Sequence, residues 1–227
     1  MIKERSTIKK CEKMKFELGS ADGADGSCRM STGKFSHAFT PPTIHYDVDA
    51  ATILVVVDGP ADVRRTKELD DRAFIDVVIQ PATRPSGVHE KRMESLLRSI
   101  IKSCVLTKLY PRTGIQITVQ MVDDGANDAS HLLALVINAS ILALMDAGLP
   151  MSKHVVATIQ GTAVVVTAFQ TQIQWTNLEN VEHEASHSDL LMWIDSHSDS
   201  DLDEQRWEQA QSESIRYWQR IRNFIGQ

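Results

Sequence analysis

The chain is poor in the residues that announce a metal or a disulfide scaffold. Its 227 residues hold three cysteines, Cys11, Cys28 and Cys104, an odd set with no CxxC pair. Neither a structural zinc site nor a disulfide framework follows from them. Basic charge is also short: 24 Lys and Arg face 30 Asp and Glu, for a net charge of -6. That balance argues against a freestanding electrostatic binder of nucleic acid, though not against a subunit that borrows positive charge from neighbours. The N-terminus lacks an apolar signal region, and no apolar run approaches the roughly 20 residues that span a bilayer. A reduced compartment and no membrane are expected. GxGxxG, GxxxxGK[ST] and GxSxG are all missing, which removes the common phosphate-loop and nucleophile-elbow signatures.

The hydrophobic content, 42%, with 24% charged residues, is that of one substantial globular domain with a real core. Residues 1–15 are rich in Lys and Glu and read as a flexible N-terminal arm; for Lys9, Lys10, Lys13 and Lys15 a solvated tail is favoured over a localisation signal. Residues 16–227 read as one domain. The Asp-Gly steps between Gly19 and Gly33 connect short strands. Residues 35–50, with Pro41-Pro42, form an inserted loop. Thr52 to Val57 is a β-branched run closed by Asp58-Gly59-Pro60, and Phe74 to Ile79 is a second; being apolar on both faces, they are expected to be buried central strands.

Two helices follow from spacing. Met93, Leu96, Leu97, Ile100, Ile101 and Cys104 share one face of a helix over 90–104. Residues 129–147 are apolar nearly all round, with Asp128 as N-cap and Gly148 followed by Pro150 as the stop. A helix without a polar face is a buried one. Residues 115–122 and 155–169 read as strands, the latter a hairpin turning near Gln160-Gly161. An acidic, Ser-rich linker over 195–203 leads to a C-terminal helix over 203–225, on which Trp207, Ile215, Trp218, Ile221 and Ile225 share a face. The class is a mixed α/β (α+β) domain.

Two clusters suggest chemistry and are discounted. His183-Glu184-Ala185-Ser186-His187 spells HExxH, which on a helix would aim two imidazoles at a zinc ion. Its flanks are polar and loop-like, so a solvated loop is favoured. Asp123-Asp124-Gly125 suits a turn before a helix better than a cation site. No metal site and no cofactor is expected.

The order of short signatures resembles the RNase PH family. Asp22-Gly23…Gly26-Ser27-Cys28-Arg29-Met30-Ser31-Thr32-Gly33 is similar to its opening DGSxRxxxG hairpin, and Gly59-Pro60-Ala61-Asp62-Val63-Arg64 to its GPxE/DxR strand end. Arg72-Ala73…Asp76-Val77-Val78-Ile79-Gln80-Pro81 resembles its RAxLEVxVxP strand, and Glu90…Glu94-Ser95-Leu96-Leu97-Arg98 its first helix. Asn138-Ala139…Ala143-Leu144-Met145-Asp146-Ala147-Gly148-Leu149-Pro150-Met151 resembles its NAAxxALxDAGxPM helix. Together they cover residues 19–169. Tyr110-Pro111-Arg112 and the Asp-Ala-Gly-Leu-Pro-Met ending look most like one branch, the ring subunits of the eukaryotic RNA exosome of ribosomal RNA-processing protein 46 type.

The resemblance implies an RNase PH-like βαβα domain, similar to domain 2 of ribosomal protein S5. It implies sibling RNase PH-like ring subunits, S1/KH cap subunits, RNA in the ring channel and an associated nuclease as partners, in nucleus, nucleolus and cytoplasm. Active family members hold phosphate with a Gly-Thr-Arg motif at the N-terminus of the buried helix and use aspartates on a later strand. Here His131, Leu132 and Leu133 stand where that motif belongs, residues 164–170 carry no carboxylate, and His89 replaces an arginine before the first helix. The expectation is no catalytic residue and a non-catalytic ring subunit; the alternative is a phosphorolytic 3′-5′ exoribonuclease using displaced residues. The family's loop after the GPxE/DxR strand faces the channel, so Arg64, Arg65 and Lys67 are expected to contact RNA phosphates. The competing reading is a solvated loop balanced by Glu68, Asp70 and Asp71.

Overall fold

The computed structural model describes residues 15–32, 51–123, 129–160, 163–170, 193–196 and 204–225. Strands β1 (Lys15–Leu18), β2 (Gly26–Ser31), β3 (Thr52–Asp62) and β4 (Phe74–Gln80) precede helix α1 (Val88–Cys104). After a short 3-10 turn come β5 (Thr113–Asp123), helix α2 (Ala129–Asp146), β6 (Lys153–Gln160), β7 (Ala163–Gln170), β8 (Trp193–Ser196) and helix α3 (Glu204–Ile225). The first five strands form one sheet in the order β1-β2-β3-β5-β4, and the last three form a second in the order β6-β7-β8. All neighbours are antiparallel except β4 and β5, which the α1 crossover makes parallel.

Alternation sets the core. Ile53, Val55 and Val57 of β3, Ile75, Val77 and Ile79 of β4, and Ile117, Val119 and Met121 of β5 are buried. Their neighbours Leu54, Val56 and Val78 are only half-buried. α2 packs against β2 and β3 on one side and β6 and β7 on the other, α1 against β4, and α3 against β6. Enclosed by two sheets, α2 buries Leu135, Ile137 and Ile141 almost completely, each stabilising the fold by about 1.5–3 kcal/mol. Its length and apolar composition would also suit a membrane span; its burial between the sheets identifies it as the core helix.

Several expectations are corrected. β3 does not close at Asp58-Gly59-Pro60 but continues to Asp62, its pairing with β5 shifting register between Asp58 and Ala61. The irregularity accommodates a proline that has no N–H to give the ladder. The two apolar runs are buried on one face, not both, and β4 is an edge strand. On α3 the buried positions are Ala210, Ser214 and Ile221, with Ile215 and Trp218 half-buried. The side chains of Trp207 and Ile225, most of the arm, the 35–50 insertion, the HExxH segment and most of the acidic linker lie outside the described residues.

Candidate functional site

Two places hold the residues singled out by the sequence. The first is a cleft of about 280 Å³, including the solvent at its mouth, between the N-terminal turns of α1 and α2. It is lined by His89, Arg92, Met93 and Leu96 from α1 and by Ala129, Ser130 and Leu133 from α2. The fold thus brings His89 and Leu133 together, 44 positions apart in the chain. These are the two positions where the family resemblance calls for arginine. Leu133 is only 3% exposed, while His131 and Leu132 are half-buried. Among the described residues the walls are apolar apart from His89, Arg92 and Ser130, with one guanidinium where a bidentate anion cage of the family's kind calls for more. β7 reads Ala-Val-Val-Val-Thr-Ala-Phe-Gln and brings no carboxylate. Among the described residues no cluster of His, Cys, Asp or Glu suits a metal ion.

The carboxylates near this cleft have structural roles that helical spacing alone does not disclose. Glu90 is buried, accepts the Gly87 N–H at 2.7 Å and the Arg84 guanidinium at 2.6 Å. Burial pushes its carboxyl up, but hydrogen bonds from the backbone N–H groups of Glu90 and Gly87, with the charges of Arg84 and His89, outweigh it and leave the pKa below the usual range. Glu94, also buried, accepts the Ile79 N–H at 3.0 Å and the Lys91 ammonium at 2.8 Å. It closes the outer edge of β4, where no further strand supplies an acceptor.

The second place is the connection between β3 and β4. Its residues Arg64 to Lys67 form a turn closed by the Lys67 N–H donating to the Arg64 carbonyl at 2.8 Å. The charges around it are sorted by geometry rather than by sequence adjacency. Glu68 and Asp70 face Arg112 at 3.7 and 3.5 Å, and Asp71 is taken by Arg72 at 2.6 Å. The hydrogen bond from Arg72 holds the Asp71 carboxyl below its ordinary range. Lys67 donates to Asp76 at 2.7 Å and lies 5.3 Å from the centre of the Phe74 ring. Arg64 and Arg65 are exposed, and among the described residues their side chains have no ion-pair partner. The acidic residues invoked to balance the loop therefore pair with Arg112 and Arg72, and among the described residues the turn presents two guanidinium groups without an ion-pair partner.

Comparison with known proteins follows the same lines. A family model described as RNase PH, 3′ exoribonuclease family, domain 1, matches residues 10–150. Exosome complex component rrp46 of Schizosaccharomyces pombe is 33% identical over 102 residues, covering 45% of this chain and 44% of its own length. Exosome complex component RRP46 of Saccharomyces cerevisiae is 29% identical over 131 residues, covering 53% and 59%. Exosome complex component RRP41 of Mus musculus is 35% identical over 168 residues, covering 67% and 60%. The chain thus spans less than two thirds of the length of these relatives. Among solved structures, rice (Oryza sativa) Rrp46 superposes with a TM-score of 0.65 at 21% identity over 97% of both chains. The Archaeoglobus fulgidus exosome with RNA bound to the active site gives 0.56 at 15% identity over 93% of this chain and 88% of that one. At these identities the structural likeness carries the fold alone.

Proposed function

The chain belongs to the RNase PH family of 3′ exoribonucleases, and from that premise we propose that it is a non-catalytic ring subunit of an RNA exosome. It supports 3′-5′ processing and decay of RNA by assembling the ring and lining its channel. The observation that carries this reading is the cleft between α1 and α2. Phosphorolysis needs donors to hold the phosphate and carboxylates for acid/base or metal work. The resemblance puts Leu133 and His89, which line this cleft, at the two arginine positions, and β7 has no carboxylate. A family fold kept without its chemistry is explained by assembly. The curated relatives carry exosome component names, which supports assembly with sibling RNase PH-like subunits; S1/KH cap subunits, an associated nuclease and a place in nucleus, nucleolus and cytoplasm are proposed with that assembly.

Within that role Arg64, Arg65 and Lys67 are proposed to meet the RNA backbone. Their contacts go to phosphates, so they weaken with salt and show no base preference. Purification through a tag on this chain, with partners identified by mass, tests the assembly. A large complex of sibling subunits is the expected result, and a stable solitary monomer would overturn it. The pure chain should release no nucleoside diphosphates from RNA on addition of phosphate; release would restore the phosphorolytic alternative. Reversing Arg64 and Arg65 to Glu should leave the ring intact while slowing decay and crosslinking of threaded RNA. Unchanged decay and crosslinking in an intact ring would return the loop to plain solvation.

A further inference from the structure

We propose that Asp76 is the positioning residue of the basic turn: it holds Arg64 and Arg65 in place for the RNA backbone through a strut made by Lys67. The inference rests on the RNA-facing reading of that turn. A single backbone hydrogen bond closes Arg64 to Lys67, and one such bond does not fix an exposed turn against water. What fixes it lies at its far end. The Lys67 ammonium meets Asp76 Oδ2 at 2.7 Å and lies within 5.3 Å of the Phe74 ring centre. The other carboxylate oxygen, Oδ1, is 3.3 Å from the Arg98 guanidinium of α1, whose same nitrogen reaches the Val77 carbonyl at 3.3 Å. Asp76 is thus a joint between the loop, the sheet and the helix.

The joint sits on rigid backbone. Asp76 pairs with Gln116 in the parallel ladder, and its side chain is 28% exposed against 52% for Lys67. Half of the Lys67 side chain remains in solvent, so the strut acts by fixing geometry and weakens with salt. Rigid elements set a binding group more accurately than the loop that bears it.

An acidic residue beneath an RNA-facing turn has two opposed effects. Its charge repels phosphate, and its geometry fixes the arginines. Asp76 is shared by two cations, so the three groups together carry a net positive charge and the repulsion is already offset. Geometry is what remains, and the two effects predict opposite signs for one substitution. Asp76→Asn removes a negative charge and frees Lys67. If charge alone governed, RNA would be held more tightly; if positioning governs, it is held less well.

The experiment uses the reconstituted complex containing this chain, threaded with a photoreactive oligouridylate. Crosslinks to the peptide bearing Arg64 and Arg65 are quantified across a salt series. Asp76→Asn is expected to lower that yield several-fold with the ring intact, and Asp76→Glu, which keeps the carboxylate, to restore most of it. Lys67→Met leaves the Asp76–Arg98 pair in place but also removes a proposed phosphate contact, so it should lose at least as much crosslink as Asp76→Asn. The Asp76 variants, which keep the Lys67 ammonium, separate positioning from contact. Equal or stronger crosslinking with Asp76→Asn overturns the inference, as does an unchanged yield with Lys67→Met. Loss of crosslinking only together with ring assembly overturns it too, because that is a structural role. The Arg64 and Arg65 reversal separates the two levels. If it abolishes the crosslink while Asp76→Asn does not, the RNA reading stands and the positioning falls. If it has no effect, both fall.

Discussion

The side chain of Asn138 caps one residue of an edge strand: its Nδ2 donates to the Ala157 carbonyl and its Oδ1 accepts the Ala157 N–H, both at 2.8 Å. β6 is one of the two outer strands of the second sheet as described, and the carboxamide serves Ala157 as a neighbouring strand would. Both residues are buried, where an unmet backbone group costs about 1–3 kcal/mol. Asn138→Leu, which keeps the branching at Cγ but is bulkier, should therefore destabilise the chain by about 2–4 kcal/mol, read as a lowered urea midpoint with an unchanged slope. A midpoint within error of the parent would show that water or a shifted strand replaces both bonds.

What could be read from the sequence follows from this kind of role. Asn138, Gly26 and Asp146 stand in recognisable signatures because each makes a bond or contact that the fold needs there. Asp25 accepts the Gly59 N–H at 2.7 Å and Asp146 the Ser27 N–H at 2.9 Å. The helices were legible from apolar spacing, and α2 from its lack of a polar face. The burial of Glu90 and Glu94 was not, although both stand in the first-helix signature, because a glutamate on an amphipathic helix reads as solvent-facing until β4 and the preceding loop close over it. Nor was the charge sorting around Arg64 and Arg65. Nearness along the chain suggested that Glu68, Asp70 and Asp71 balance the two arginines. Arg112, which takes Glu68 and Asp70, lies beyond β4, α1 and the 3-10 turn and is brought back by the tertiary fold.

The Asp25-Gly26-Ser27 turn lies against the end of α2, and a methyl group on Gly26 would collide with the backbone of Ala143 and Ala147. Backbone cannot yield as a side-chain tip does, so Gly26→Ala should shift the helix end and lower stability by about 2–4 kcal/mol. Gly23, with φ of 85° and open space around it, provides the control. There Gly23→Ala meets only the left-handed backbone cost of about 1–2 kcal/mol. Thermal midpoints of the two variants should rank in that order, and the reverse ranking would show that the Gly26 contact is relieved by movement.

His154 stacks on Trp218 of α3 with ring centroids 4.8 Å apart, and Trp218 stacks in turn on Phe169 of β7 at 5.7 Å. Burial pushes the imidazole pKa below 6.5, and among the described residues its Nδ1 has no hydrogen-bond partner. The unfolded chain then binds more protons than the folded one across the interval between the two pKa values, so stability rises with pH there. The contribution is complete above about pH 6.5 and is lost as pH falls through the depressed folded value. His154→Phe should keep the stack and flatten the stability profile in that window. An unchanged slope in the variant would place the acid sensitivity on other groups.

Leu133 offers the sharpest test of the cleft. It is 3% exposed and faces His89 and Arg92 across the space between the two helix starts. Leu133→Arg would place a guanidinium at the position where the family resemblance calls for one. It would arrive beside an existing arginine, with no carboxylate among the described residues that line the cleft to receive it. The cost of an unpaired, largely buried charge is about 2–4 kcal/mol, visible as a fall in the thermal midpoint. Activity should not appear, because phosphate ligands without carboxylates on β7 leave the leaving-group proton and any metal unheld. Phosphate-dependent release of nucleoside diphosphates from RNA by this one variant, with stability unharmed, would mean that α2 presents a working site and that the subunit is nearer to catalysis than its cleft implies.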